Sequence, residues 1–285
     1  MFVGIDEYDA PANNVVFDGG SPETEHIRIV KVNAIENFFK QNLFAIFKEA
    51  VGDGPFGCVS KYFLTGVLPA FRSGMSPLTA ANIISGSPEY HGICGFTEKQ
   101  VQTITRAYLH QGSGVPNSKD SGSQDQSSLE QDISGICWAM KRYYNGYSFA
   151  TSGDEERLYN PLLVHFYLST IKQGGVVANP EESPAVHTVN LLKSIADTGR
   201  FSTDDIVGLM MAGSLPVTDN IQKEFGFIDV MQQAGKDRNA TLSLLFHLGV
   251  LTHAGKASQL QIPNEVMKMN VCWSAEPVDI GLTSC

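Results

Sequence analysis

Two adjacent carboxylates, Asp6 and Glu7, close the apolar run Phe2-Val3-Gly4-Ile5. Such a run reads as a buried strand carrying acids at its C-terminal tip. Metal-dependent ATP hydrolysis uses a pair of this kind, the first acid holding the Mg²⁺ shell and the second polarising the attacking water. Asp6 is therefore the candidate metal residue and Glu7 the candidate for activating water. The competing reading of so short a string is a solvated acidic turn. A second β-rich run, Cys58 to Gly66, places Thr65 at its end, where a polar side chain would stand between the acid pair and a γ-phosphate. The alternative for Thr65 is a hydroxyl serving the turn before Gly66.

Further candidates lie downstream. Arg72 follows the Thr65 strand and could grip a phosphate with two guanidinium donors, against an ordinary surface role. In Tyr144-Asn145-Gly146-Tyr147, Asn145 and Tyr147 could touch an adenine, or Gly146 could act as a hinge; packing of anchored tyrosines is the alternative. His91 and Cys94 have no second pair to complete four ligands, and His247 falls on an apolar helix, so no zinc centre is expected.

The elements that must position these residues follow from periodicity. Apolar residues Ile35, Phe38, Phe39, Leu43, Ile46 and Phe47 recur at spacings of three and four, which predicts a helix over 27–51 ending at Gly52-Asp53-Gly54-Pro55. Strand, helix, strand makes one βαβ unit. A third short strand is expected over 90–95, then a helix with Thr97 as N-cap and Glu98 in its first turn. Residues 111–128 are Ser, Gly, Asn, Gln and Asp with almost nothing apolar, a flexible connection by composition. Beyond it helices are predicted over 129–143, 160–173, 187–198, 202–213 and 239–248, the last closed by Gly249. A hairpin from Val250-Leu251-Thr252 and Leu260-Gln261-Ile262 then completes a winged-helix pattern, and a loose tail begins near Trp273.

The totals bound the function classes. The chain has 285 residues with 42% hydrophobic and 18% charged, enough for one large domain or two modest ones. No apolar run reaches the roughly 18 residues of a membrane span, and Met1 to Asp6 carries no targeting signal, so an intracellular, cytoplasmic or nuclear location is expected. Five scattered cysteines without a CxxC pair are expected to be reduced. A net charge of −10 opposes a broad grip on nucleic acid.

Five stretches taken together are recognisable: Ile5-Asp6-Glu7-Tyr8-Asp9-Ala10-Pro11, Phe63-Leu64-Thr65-Gly66-Val67-Leu68-Pro69-Ala70, Cys94-Gly95-Phe96-Thr97-Glu98, Tyr143-Tyr144-Asn145-Gly146-Tyr147-Ser148-Phe149 and Tyr159-Asn160-Pro161. In this order, over roughly residues 2–265, they resemble the AAA-ATPase-like family of fungi and many bacteria. The resemblance implies an α/β chain: a partial P-loop core of parallel strands (1–110), a linker (111–128), a helical lid (129–235), a winged-helix-like region (236–268) and a tail (269–285). It implies Mg-ATP as ligand and, in longer members, a nuclease-like domain. Family members open with a Gly-rich loop ending in Gly-Lys-Ser or Gly-Lys-Thr, whose amides and Lys cradle the phosphates. No G-x-x-x-x-G-K-[ST] occurs in this sequence, and Gly52 to Gly57 lacks the Lys-Ser. The strand that leads into that loop is missing with it, so the sheet is expected to close the gap or to associate, because buried unpaired backbone groups cost about 1–3 kcal/mol each.

The first expectation is thus an ATPase-like protein that binds Mg-ATP weakly or not at all and turns over negligibly. The second is a non-enzymatic module whose helical and winged-helix parts bind a protein partner, a second copy or nucleic acid. The third is that the chain is a piece of a longer protein that holds the phosphate loop.

Overall fold

The computed structural model describes residues 2–16, 25–50, 57–68, 82–112, 123–150, 155–172, 208, 213–217, 221–222, 237–255 and 259–274. The chain divides into two compact units, the first made of Met1–Ile83, Lys193–Asp205 and Val217–Leu248, the second of Ile84–Leu192, Ile206–Pro216 and Gly249–Cys285. Arg72, the helices expected over 187–198 and 202–213 and the tail from 275 fall outside the described residues, as does the middle of the 111–128 connection, apart from Gly208 and Gly213 in the second of those helices.

In the first unit, β1 (Phe2–Ile5) pairs in parallel with β2 (Lys61–Leu64), Phe2 opposite Lys61 and Ile5 opposite Leu64. Parallel strands need a long crossover, and its described residues here are largely helical. They form α1 (Ala10–Val16), then α2 (Glu25–Phe38), which runs on through a π-helical segment, Phe39–Phe44, into α3 (Ala45–Ala50). Arg28 of α2 closes the end of α1 by donating to the carbonyls of Val15 and Val16, which have no intrahelical donor.

The buried face of this helix differs from the expected one, and the π segment shifts it again beyond Phe38. Each π turn holds more than the 3.6 residues of an α turn, so the apolar stripe slips around the axis. Phe38 is 61% exposed whereas Val32 and Phe44, neither on the expected face, are fully buried. Asn42 donates its side-chain amide to the Phe38 carbonyl at 3.0 Å within the widened turn. The last described helix of this unit, α7 (Arg238–His247), is started by Asp237, whose side chain accepts from the Asn239 amide, and stops at Leu248 before Gly249 at φ 72°.

The second unit opens with another correction. Residues Pro88–Ile93 form a 3₁₀ turn instead of a strand. Proline at the first position presets a helical φ and supplies no ladder donor, which outweighs the short apolar pattern. Thr97 and Gln100 then form a reciprocal capping box, the Thr97 amide donating to Gln100 Oε1 at 2.8 Å and the Gln100 amide to Thr97 Oγ1 at 3.3 Å. It starts α4 (Glu98–Gly112). The next helix, α5 (Ser123–Tyr144), begins inside the segment read as a connection, because the helix cost of Ser, Gln and Asp over 123–128 is small enough to be carried by the packed helix that follows. α6 (Pro161–Lys172) matches its expected span, and α8 (Glu265–Ser274) was not foreseen.

Helices α4, α5, α6 and α8 enclose one core of Val101, Ile133, Met140, Tyr144, Tyr159, Leu163, Tyr167 and Val266. Beside it β5 (Gln259–Gln261) pairs antiparallel with β4 (Thr252–His253), the expected hairpin, and with β3 (Leu215–Pro216) on its other edge. No helix among the described residues is long and apolar enough to cross a membrane.

Candidate functional site

Three of the expected site residues meet at one place. Asp6, Glu7 and Thr65 stand directly after the paired ends of β1 and β2, where ligands of open α/β sheets bind. The Thr65 amide extends the ladder to the Ile5 carbonyl (2.9 Å) and the Tyr8 amide returns to the Thr65 carbonyl (3.1 Å). Thr65 Oγ1 donates a hydrogen bond to Asp6 Oδ1, and the same oxygen accepts from the Glu7 amide at 3.0 Å. Both acids are exposed. Glu7 adopts φ 49°, a left-handed backbone that a side chain other than glycine occupies at a cost of about 1 kcal/mol or more.

A hard cation such as Mg²⁺ takes oxygen ligands, keeps several waters and is often held by one or two carboxylates together with substrate phosphates. The oxygen-only group of Asp6, Thr65 and the nearby Glu7 fits that pattern. Among the described residues no cluster of three or more His, Cys, Asp or Glu side chains could hold a metal by itself. Water and phosphate oxygens would therefore have to complete the shell.

Three residues that the motif reading passed over lock the tip from behind. Asp9 is fully buried; its Oδ2 accepts from the Leu68 amide at 2.6 Å and from Asn13 Nδ2 at 2.7 Å. Tyr8 donates its hydroxyl to the Leu68 carbonyl at 2.7 Å. Gly66 lies between them: a Cβ at that position would sit 2.5 Å from Asp9 Oδ1 and 2.6 Å from the Tyr8 ring. The signal was present, since Asp9 follows Asp6 and Glu7 within one short acidic word, but burial of one of three acids is not legible from spacing.

Asn145 and Tyr147 belong to the second unit, each placed by local structure. Asn145 Oδ1 accepts from the Gly146 amide at 2.6 Å. Gly146 has φ 116°, and a Cβ there would fall 1.8 Å from the Pro263 carbonyl oxygen, so only glycine fits. Tyr147 is buried, its ring stacked on Phe149 with centroids 6.0 Å apart and its backbone bridged to Leu158. Burial pushes the Tyr147 hydroxyl up, and hydrogen bonds with Asn264 and Asn160 pull it down.

The second unit has its own polar centre. Glu98 Oε2 accepts from the buried Tyr159 hydroxyl at 2.6 Å and lies 3.3 Å from Lys141 Nζ. Burial first, and Glu98 second, hold the Tyr159 hydroxyl far above the ordinary tyrosine range. His91, also buried, faces the Glu156 carbonyl through Nε2 at 2.8 Å and accepts from the Phe149 amide at Nδ1, which uses both ring nitrogens without a metal.

No family model, curated protein or solved structure matches the chain.

Proposed function

We propose that the chain is an ATPase-like domain whose cation and water end is assembled at the β1–β2 tip while its phosphate cradle is absent from the sequence given. The observation that carries this reading is the pairing of Asp6 with Thr65 across the C-terminal ends of two parallel strands. In that role Asp6 would hold Mg²⁺ with Thr65 beside it, Glu7 would orient water, and the γ-phosphate would lie over both loops. Arg72, Asn145 and Tyr147 stand in this reading as candidate nucleotide contacts. Without amide donors and a Lys to offset phosphate charge, two exposed acids repel ATP unless Mg²⁺ intervenes, so binding is weak and turnover negligible. Loss of one such donor already lowers a rate by about 10²–10³.

A steady-state phosphate-release assay on the wild type beside Glu7→Gln tests the reading. Clear activity in the wild type that vanishes in the variant would overturn the impaired-site conclusion, and a Mg-ATP titration with no difference between wild type and Asp6→Asn would remove the nucleotide reading altogether.

A second reading is favoured by chain order alone: α7 followed by the β4–β5 pair is the element sequence of a winged helix. On this reading the part from α7 onward binds a protein, a second copy or nucleic acid, and the β1–β2 tip is scaffold.

A further inference from the structure

Resting on the cation reading of the β1–β2 tip, we propose that Asp9 is a positioning residue: it fixes Asp6 and Thr65 in their shared geometry by clamping the loop after β2, and it does not itself reach the cation.

Both carboxylate oxygens of Asp9 are accounted for by its surroundings. Oδ2 is taken up by the Leu68 amide and Asn13. Oδ1 is buried without a hydrogen-bond partner among the described residues and points into the space that a side chain at residue 66 would occupy. Neither oxygen opens to the exposed side where Asp6 and Glu7 stand. The clamp acts two and three residues after the pair it serves, Tyr8 and Asp9 following Asp6 and Leu68 following Thr65. Tyr8 and Asp9 hold Leu68 by its carbonyl and its amide, and the Tyr8 amide holds the Thr65 carbonyl. Residues 65–68 are thereby tied to 5–9 at four backbone groups, and Thr65 Oγ1 has little freedom except to face Asp6. Gly66 is needed for room, since its φ is not positive and a Cβ would drive Asp9 and Tyr8 apart. Groups that orient a metal ligand from behind change metal affinity by about 10- to 100-fold when removed.

The test uses the whole chain and Mn²⁺ as a paramagnetic probe for Mg²⁺, read by broadening of the Asp6, Glu7 and Thr65 amides, with Asp6→Asn as the ligand-loss control. Asp9→Ala and Gly66→Ala are expected to weaken Mn²⁺ binding by about 10- to 100-fold. Asp9→Asn keeps, in the place of Oδ2, an oxygen that accepts from both the Leu68 amide and Asn13 Nδ2, so its affinity stays within about threefold of wild type, an allowance well inside the loss expected when such a group is removed. An Asn variant as weak as the Ala variant would show that Asp9 acts by charge, and would overturn the inference. Unchanged affinity in Asp9→Ala overturns it too, leaving the cation reading intact. Absence of broadening in the wild type removes both. Amide exchange reads the clamp without any cation: Leu68 should exchange at least tenfold faster in Asp9→Ala while Met140 in the second unit stays protected, a loss larger than the spread expected from fraying. Unchanged Leu68 protection would overturn the clamp directly.

Discussion

Asp9 and Tyr159 are both fully buried polar residues within motifs read from the sequence, and they are held in opposite ways. Asp9 sits between the residues that follow β1 and those that follow β2, where hydrogen bonds from the Leu68 amide and Asn13 hold its carboxylate. Tyr159 gives its ring to a core of eleven buried residues and only its hydroxyl to Glu98. Where order comes from polar contacts, a substitution should disturb local geometry; where it comes from apolar packing, a substitution should cost stability first. The first unit's motif is thus built for placing exposed groups, and the second unit's motif for holding helices together.

Gly146→Ala should break the second unit hardest. The added methyl meets the Pro263 carbonyl and the backbone is left-handed, so stability measured by thermal unfolding is expected to fall by about 3–4 kcal/mol. A loss below about 1 kcal/mol would mean the turn relaxes freely, and the contrast between the two regions would weaken. Met140→Ala, at the fully buried centre of the same core, is expected to cost about 2–3 kcal/mol by the same measurement.

Glu7→Gly should move the other way. Glycine occupies φ 49° without strain, so the first unit is expected to gain about 0.5–1 kcal/mol, while the acid proposed to orient water is lost. A neutral or negative change would show that the conformation of Glu7 is not strained, and would remove one sign that the tip is shaped for chemistry.

The smallest effect is one of pH. Burial holds His247 below its ordinary value, offset in part by its bond to the Gln222 carbonyl, and burial together with Arg157 does the same for His253, against Glu155. As pH falls through the ordinary 6.5 the unfolded chain binds protons first, so stability declines and stops declining only below the depressed folded values. Unfolding followed from pH 7.5 to 5 should show this slope, and His247→Gln should flatten it. An unchanged slope would place the titration elsewhere.

The sequence was most informative where one residue type answers one local need. Asp6 and Thr65 could be placed because strand ends are marked by an apolar run meeting a polar residue, and Thr97 because a cap is a short-range bond. Gly249 was legible for the same reason. What stayed hidden depends on chain far away or on helix geometry. Burial of Asp9 requires Leu68, nearly sixty residues on. Phe38, six α-helical residues past the buried Val32, faces away from it, and only knowing that Val32 is the buried position shows this. The helix α8 was read through because Asn264, whose side chain accepts from the Met267 amide, looks like an ordinary turn residue at the close of the hairpin.

The π segment also governs which changes of chain length the first unit can absorb. The Ala50 carbonyl, at the end of α3, accepts from the Val59 amide at 2.9 Å just ahead of β2. Deleting one residue between Phe39 and Phe44 would let a plain α-helix run through, and because the π turn takes up its extra residue in nearly the rotation of an α turn, everything downstream would keep nearly its present facing. The Ala50 carbonyl would still meet Val59, and the strand that delivers Thr65 would keep its anchor. A deletion in the regular α-helical part of α2 would instead turn everything beyond it by about 100° and draw it back by about 1.5 Å, so the widened turn is the place in this helix where one residue can be lost at least cost.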